Sequence, residues 1–196
     1  MALDFEAVAA VDPAYGFEPG DASLVERCQG PTLDVGAGPG RLTVALAERG
    51  IPTLGIDVTP DAVRQTRSAG ALALMRDVFG RIPGAGRWRT VLLADGAISI
   101  GGDPAALLRR ISDLLAPQGR ALIELQPPGA DGPAGADQIG ELARTAGMEL
   151  RELWTESGRW FAELDGCVPV TAEPVTIEPD RCVAGGPGWP AIPEPG

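Results

Sequence analysis

Apolar and polar positions alternate along the first 165 residues in a way that predicts short buried strands separated by amphipathic helices. After a polar N-terminal arm, Asp21 is placed as the cap of a short helix running to Cys28, and Pro31 to Gly36 reads as a buried strand. A helix from Arg41 to Arg49 follows, with Gly50 at C′, and Pro52 to Asp57 is the second strand. Thr59-Pro60-Asp61 combines a cap, proline at N1 and an acidic first turn, and Gly70 ends the helix so begun. Ala71 to Arg76 and Trp88 to Ala94 are the third and fourth strands. Asp103-Pro104 opens a helix to Leu115, and Pro117-Gln118-Gly119 turns into a fifth strand, Arg120 to Leu125. A helix over Ala136 to Ala146 stops at Gly147. Met148 to Glu156 and Arg159 to Leu164 then pair around Ser157-Gly158 as a hairpin.

The elements predict an α/β fold, a seven-stranded Rossmann-like sheet with helices on both faces whose last two strands form an antiparallel hairpin. They divide the chain into an N-terminal arm or lid (1–20), a main domain (21–165) and a Pro/Gly-rich C-terminal extension (166–196) whose end is expected to be disordered. Within that extension Val168, Val170, Val175 and Ile177 alternate; an extended flap is favoured over an edge ribbon or a pocket cover. No repeat with a period of about 20 to 50 residues is present.

Composition removes several kinds of chemistry. Charged residues interrupt every apolar run before the about 18 residues a bilayer span needs, so no membrane partner is expected. Met1 to Phe17 lacks the basic and apolar regions of a secretory signal, which predicts a cytoplasmic protein. Cys28, Cys167 and Cys182 are widely spaced and odd in number, indicating reduced, partly buried thiols and neither a disulfide framework nor a metal site. The formal charge of −11 opposes nucleic-acid binding. Histidine, lysine and asparagine are all absent, which excludes a histidine triad, a P-loop lysine and Schiff-base catalysis. Arginine in place of lysine, with abundant Gly, Pro and Ala, reads as the codon bias of a GC-rich bacterial genome.

The chemistry concentrates at Asp34-Val35-Gly36-Ala37-Gly38-Pro39-Gly40-Arg41. A glycine-rich strand-to-helix turn lets backbone approach a nucleoside closely. The dinucleotide fingerprint G-x-G-x-x-G fails, since its third glycine would fall at Arg41; the spacing is G-x-G-x-G. Asp34 before the loop opposes a pyrophosphate and suits a ligand with an ammonium group, and S-adenosyl-L-methionine carries an ammonium and a sulfonium but no phosphate. Asp57, 21 residues after Gly36, is placed to accept both ribose hydroxyls.

Leu33 to Arg41 followed by Gly55-Ile56-Asp57 resembles motif I and the following acid of class I S-adenosylmethionine-dependent methyltransferases, over residues 20 to 165. Leu115-Ala116-Pro117-Gln118-Gly119 is similar to that family's turn into strand five, with Gln118 where a glycine is usual. The resemblance implies that Asp77 meets the adenine amino group and the Val78 amide a ring nitrogen, and that Asp95, in Ala94-Asp95-Gly96, faces the methionine end and the acceptor. The implied cofactor-binding set is Asp34, Gly36, Ala37, Gly38, Gly40, Arg41, Asp57, Val58, Asp77, Val78 and Asp95. Without histidine, a general base must be a carboxylate, Tyr15 or a thiol, and Asp95 is the catalytic candidate.

A small-molecule acceptor, methylated on O or N in bacterial secondary metabolism, is expected because no insertion is large enough for a substrate domain. Homodimerisation is left open. Tyr15, Phe17, Trp88, Trp154, Trp160 and Phe161 are the candidate pocket aromatics, with core the expected role for at least half of them. Arg41 and Arg159 are candidates for pairing with an acidic acceptor, with solvent exposure their default. Gln126-Pro127-Pro128-Gly129 reads as a stiff loop. The competing readings are a methyltransferase-fold enzyme catalysing a cyclisation or rearrangement, and a non-enzymatic binding partner. An NAD-dependent dehydrogenase is disfavoured by Asp34 and Arg41.

Overall fold

The computed structural model describes residues 16–166 apart from 131 and 133. Most of the predicted arm, with Tyr15, and nearly all of the extension, with Cys167, Cys182 and the Val168 to Ile177 flap, therefore lie outside the described residues.

In chain order the elements are α1 (Asp21–Arg27), β1 (Thr32–Val35), α2 (Arg41–Glu48), β2 (Thr53–Asp57), α3 (Pro60–Ser68), β3 (Ala73–Met75), β4 (Trp88–Leu93), α4 (Pro104–Leu114), β5 (Leu115–Leu125), α5 (Ile139–Thr145), β6 (Glu149–Glu156) and β7 (Arg159–Asp165). They form one seven-stranded sheet in the order β3-β2-β1-β4-β5-β7-β6. The five strands β1 to β5 pair in parallel, while β7 runs antiparallel to both β5 and β6. Ser157 and Gly158 both take positive φ (51° and 79°), the left-handed pair that a two-residue I′ hairpin needs.

Parallel strands covered on both faces read as continuous apolar runs, because alternate side chains enter different cores. In β4, Val91 and Leu93 join the core under α4 and α5, while Leu92 joins Leu24, Leu42, Leu46 and Phe161 under α1 and α2. The chain steps outward from β1 to β3 and then returns to place β4 on the other side of β1. Loops after β1 and β4 consequently diverge at the carboxyl edge of the sheet, leaving a crevice between them where ligands bind in such sheets.

Several boundaries differ from expectation for local reasons. Asp21 is the first helical residue of α1, not its cap. Gly20 occupies that place in the left-handed region, and the Asp21 carboxylate is wholly buried against arginines. The Thr59 side chain makes no capping bond either; its amide instead donates to Asp57 Oδ1 at 2.8 Å. Asp103 does cap α4, accepting from the Ala106 amide at 3.0 Å. β5 begins at Leu115, ahead of the predicted turn: Trp88 pairs with Leu115 and Thr90 with Arg120, so the residues between are absorbed as an irregularity in the ladder. α5 starts at Ile139 because Ala136 to Gln138 form a turn, in which Asp137 accepts from the Gly129 amide at 3.3 Å. Gln126 to Gly129 is a loop, as expected.

Candidate functional site

β1 delivers Asp34 to the carboxyl edge, and the chain then turns through Gly36, Gly38 and Gly40, all at positive φ, into α2. Gly40 is required by packing. At φ 93° a Cβ there would stand 2.5 Å from both Oγ1 and Cγ2 of Thr66 on α3, so α3 closes directly on the loop. Gly38, at φ 53°, faces open space, since a Cβ would meet nothing within 4 Å. The amides of Gly36 and Ala37 both donate to the Ile56 carbonyl (2.9 and 3.0 Å), the Gly38 amide donates to Asp57 Oδ2 (2.9 Å), and the Gly40 amide donates to the Ala37 carbonyl (3.0 Å). The loop's glycine amides are thus engaged within the protein, and Asp34 and Asp57 beside them oppose a pyrophosphate.

Asp57 receives one backbone donor on each oxygen, Gly38 on Oδ2 and Thr59 on Oδ1. Each oxygen keeps a further lone pair for a ligand hydroxyl. Asp34 is only 3% exposed and accepts from Thr43 Oγ1 at 2.6 Å. Burial pushes its carboxyl up to about 6, the Thr43 hydrogen bonds oppose that rise, and the charges of Asp95 and Asp57 add to it. A buried carboxylate under this load favours a neighbouring cation.

Two cavities meet at Gly36 and Asp95, which line both. The first, about 310 Å³, is bounded by Ile56, Asp57, Val58, Asp77, Val78 and Ile100. The second, about 370 Å³, is bounded by Glu18, Asp34, Ala37, Gly38, Arg41 and Leu42. Of the residues predicted for the cofactor, all but Gly40 line one cavity or both. In the first, Val58 is 66% exposed at the rim, and Asp77 forms a tight turn by accepting from the Phe79 amide at 2.9 Å. Among the described residues the Val78 amide donates to no acceptor, while the Val78 carbonyl is fixed by Arg110 at 2.8 Å.

Asp95 follows β4 in the left-handed region (φ 51°), and Gly96 after it has φ 77°. Its carboxylate is 60% exposed and its Oδ2 accepts from Arg41 Nη2 at 2.6 Å. Arg41 also pairs with Asp21, and Arg159 pairs with Asp21 and Glu124. The default of solvent exposure for both arginines is therefore corrected: they are 9% and 16% exposed, because the buried Asp21 of α1 and the half-buried Glu124 of β5 draw them inward. Already committed to protein carboxylates, they are poorly suited to pairing with an acidic acceptor. Sequence reasoning gave no site role to Glu18, Asp21 or Glu124, and Asp21 only the role of a helix cap, because no local motif marks any of them as part of a site.

Among the described residues the aromatic pocket is likewise not assembled. Neither cavity is lined by an aromatic among the described residues. Trp88 starts β4, at the opposite edge of the sheet, and donates to the Pro83 carbonyl at 3.1 Å. Phe161 is core, and Trp154 stacks on it at 5.5 Å under the Arg27 guanidinium. Phe17 and Trp160 pack against the two cores. Cys28 is buried, donates to the Leu24 carbonyl at 3.3 Å, and has its thiol pushed up to about 12 by burial, so it supplies no base.

A family model described as a methyltransferase domain matches residues 22–171. The chain belongs to the methyltransferase-domain family. The fold of this methyltransferase is shared with solved class I enzymes. An S-adenosylmethionine-dependent methyltransferase from Bacteroides fragilis, in complex with S-adenosyl-L-homocysteine, aligns at TM-score 0.67 with 19% identity, covering 84% of this chain and 82% of the other. A TehB-like S-adenosylmethionine-dependent methyltransferase from Corynebacterium glutamicum aligns at TM-score 0.63 with 20% identity, over 82% and 91%. One from Aquifex aeolicus aligns at TM-score 0.62 with 16% identity, over 84% and 98%. A search of curated proteins finds no match. No helix among the described residues is long and apolar enough to cross a membrane.

Proposed function

We propose that this methyltransferase transfers the methyl group of S-adenosyl-L-methionine to a small-molecule acceptor, binding the nucleoside in the first cavity and the methionine end in the second. The observation that carries the cofactor assignment is the state of the glycine loop. Its amides are engaged within the protein, and carboxylates face both cavities, a donor set that fits a phosphate-free cation and repels a pyrophosphate. When bound, S-adenosylmethionine supplies a methyl group activated on a sulfonium.

The residues would divide the work by position. Asp57 accepts the ribose hydroxyls on the lone pairs left by Gly38 and Thr59. The Asp77 carboxylate and the Val78 amide address the edge of the base. Asp34 stands under the ammonium group, and Asp95, where the cavities join, faces the acceptor and is the group available to take its proton. In-line transfer depends on holding the acceptor at attack distance and excluding water, effects that together supply about 7 to 11 kcal/mol. The acidic lining and the formal charge of −11 favour a small acceptor over nucleic acid. Cytoplasmic localisation is part of the same reading.

Calorimetry of the wild type and Asp57→Ala with S-adenosylmethionine, S-adenosylhomocysteine and NAD tests the assignment. Both sulfur ligands should bind the wild type, and Asp57→Ala should weaken them at least about tenfold, the effect of one lost charge-assisted hydrogen bond. Binding of NAD alone would refute it. Binding of S-adenosylmethionine with no release of S-adenosylhomocysteine in the presence of any acceptor would favour the non-methylating alternative.

A further inference from the structure

Asp95 is held at both ends of the residue, by main chain and by side chain. Its amide donates to Glu124 Oε2 at 2.7 Å. Glu124 is gripped by Arg159, Nε to Oε1 and Nη2 to Oε2, both at 2.8 Å. Arg159 Nη1 donates to Asp21 Oδ1 at 2.7 Å and to the Pro19 carbonyl at 3.0 Å. Asp21 Oδ2 accepts from Arg41 Nη1, and Arg41 Nη2 returns to Asp95 Oδ2 at 2.6 Å. Five residues from α1, α2, β5, β7 and the loop after β4 thus close a ring that leaves Asp95 through its backbone and re-enters through its carboxylate.

We propose that Glu124, Arg159 and Asp21 are positioning residues, and that this ring fixes the Asp95-Gly96 turn between the two cavities. The inference rests on the proposed function, which makes that turn the wall shared by cofactor and acceptor.

Three features argue that the ring constrains the site as well as the fold. A non-glycine residue in the left-handed region is uncommon, and although aspartate tolerates it better than most, contacts from its surroundings help to hold Asp95 at φ 51°. The Asp95 amide's hydrogen bond to Glu124, the Arg41 bond to its Oδ2 and an ion pair from Arg159 Nη2 to its Oδ1 at 3.7 Å do so. Asp21 is wholly buried, which makes its two arginine partners obligatory and leaves the ring little freedom to exchange partners for water. Finally, Glu124 remains available as an anion: burial alone would raise its carboxyl, but hydrogen bonds from Arg159 and from the Asp95 amide outweigh burial and hold it below the usual range.

Neither Asp21 nor Glu124 lines either cavity, so any effect of changing them on ligand affinity must pass through other residues. The test compares wild type, Asp21→Asn, Glu124→Gln, Arg159→Lys and the Asp21→Asn/Glu124→Gln double variant. S-adenosylhomocysteine affinity is measured by calorimetry well below each thermal midpoint, and exchange of the Asp95 amide is followed in ligand-free protein. Each single change should weaken S-adenosylhomocysteine about tenfold and speed exchange at Asp95. The double variant should be at most about threefold weaker than the worse single one, because a ring opened once is open. Fully multiplied effects, or a lowered midpoint with affinity and exchange unchanged, would overturn the proposal. Asp21→Asn risks misfolding, and in that event Glu124→Gln and Arg159→Lys decide by affinity and exchange against their midpoints. Failure of the wild type to bind S-adenosylhomocysteine would overturn the proposed function, and Asp95 exchange would then decide the ring by itself.

Discussion

Replacing Asp34 by Asn should make the ligand-free protein more stable and the ligand bind less well, with both effects dependent on pH. Asp34 is buried beside Thr43, and burial raises its carboxyl from 3.8 to about 6. At about 1.4 kcal/mol per unit, ionising it in the folded protein costs about 3 kcal/mol relative to the unfolded chain. Because the folded-state value is the higher one, no penalty exists below about pH 4, where both states hold the proton. It grows as pH rises toward 6 and is constant above that. Asn keeps an acceptor for Thr43 and removes the charge. Denaturant unfolding should therefore show Asp34→Asn gaining about 3 kcal/mol over wild type at pH 7 and about half of that at pH 5. Titration with S-adenosylmethionine should show the reverse cost: wild-type affinity falling as pH drops through 6 and the carboxylate is neutralised, the variant weaker at pH 7 and flat with pH. A stability gain identical at the two pH values, or a wild-type affinity that does not change between them, would refute the reasoning.

Two further substitutions test the backbone around the site. Gly40→Ala places a Cβ against Thr66 in a left-handed conformation and should lower stability by about 2 to 4 kcal/mol in denaturant unfolding, with Thr66→Ala restoring only part because Thr66 Cβ itself stands 2.8 Å away. Gln118→Gly relieves a non-glycine residue at φ 62° and should raise stability by about 1 kcal/mol, seen as a higher thermal midpoint, with S-adenosylhomocysteine affinity unchanged.

What was legible in the sequence was the part of the site made by neighbours. Gly36, Gly38, Asp34 and Asp57 are read as neighbours in the sequence and do meet at the two cavities, because a strand, a tight turn and a second parallel strand fix their relation over a short stretch of chain. Gln118 was visible as a departure from the usual glycine, and its left-handed backbone gives that glycine its physical reason. Trp88 was misplaced for an equally physical cause. Residues that open a parallel strand stand at the edge opposite the site, so nearness in sequence to β4 gave the wrong end of the sheet.

Arg41 and Arg159 show where local reading stops. An arginine on a polar stretch is exposed unless tertiary structure brings acids to it, and the acids here come from far along the chain, 138 residues in the case of Arg159 and Asp21. Nothing in the neighbourhood of Asp21 marks it as buried; its burial follows from Gly20, where a Cβ would stand 3.1 Å from the Glu156 carbonyl, so that α1 lies directly against the β6–β7 hairpin. Once that approach is made, a carboxylate with no water must find guanidinium groups, and the two nearest then orient Asp95 and Glu124. The geometry of the residue best placed for chemistry is thus set by the closure of the first helix on the last hairpin, a contact between opposite ends of the described chain that no stretch of sequence contains.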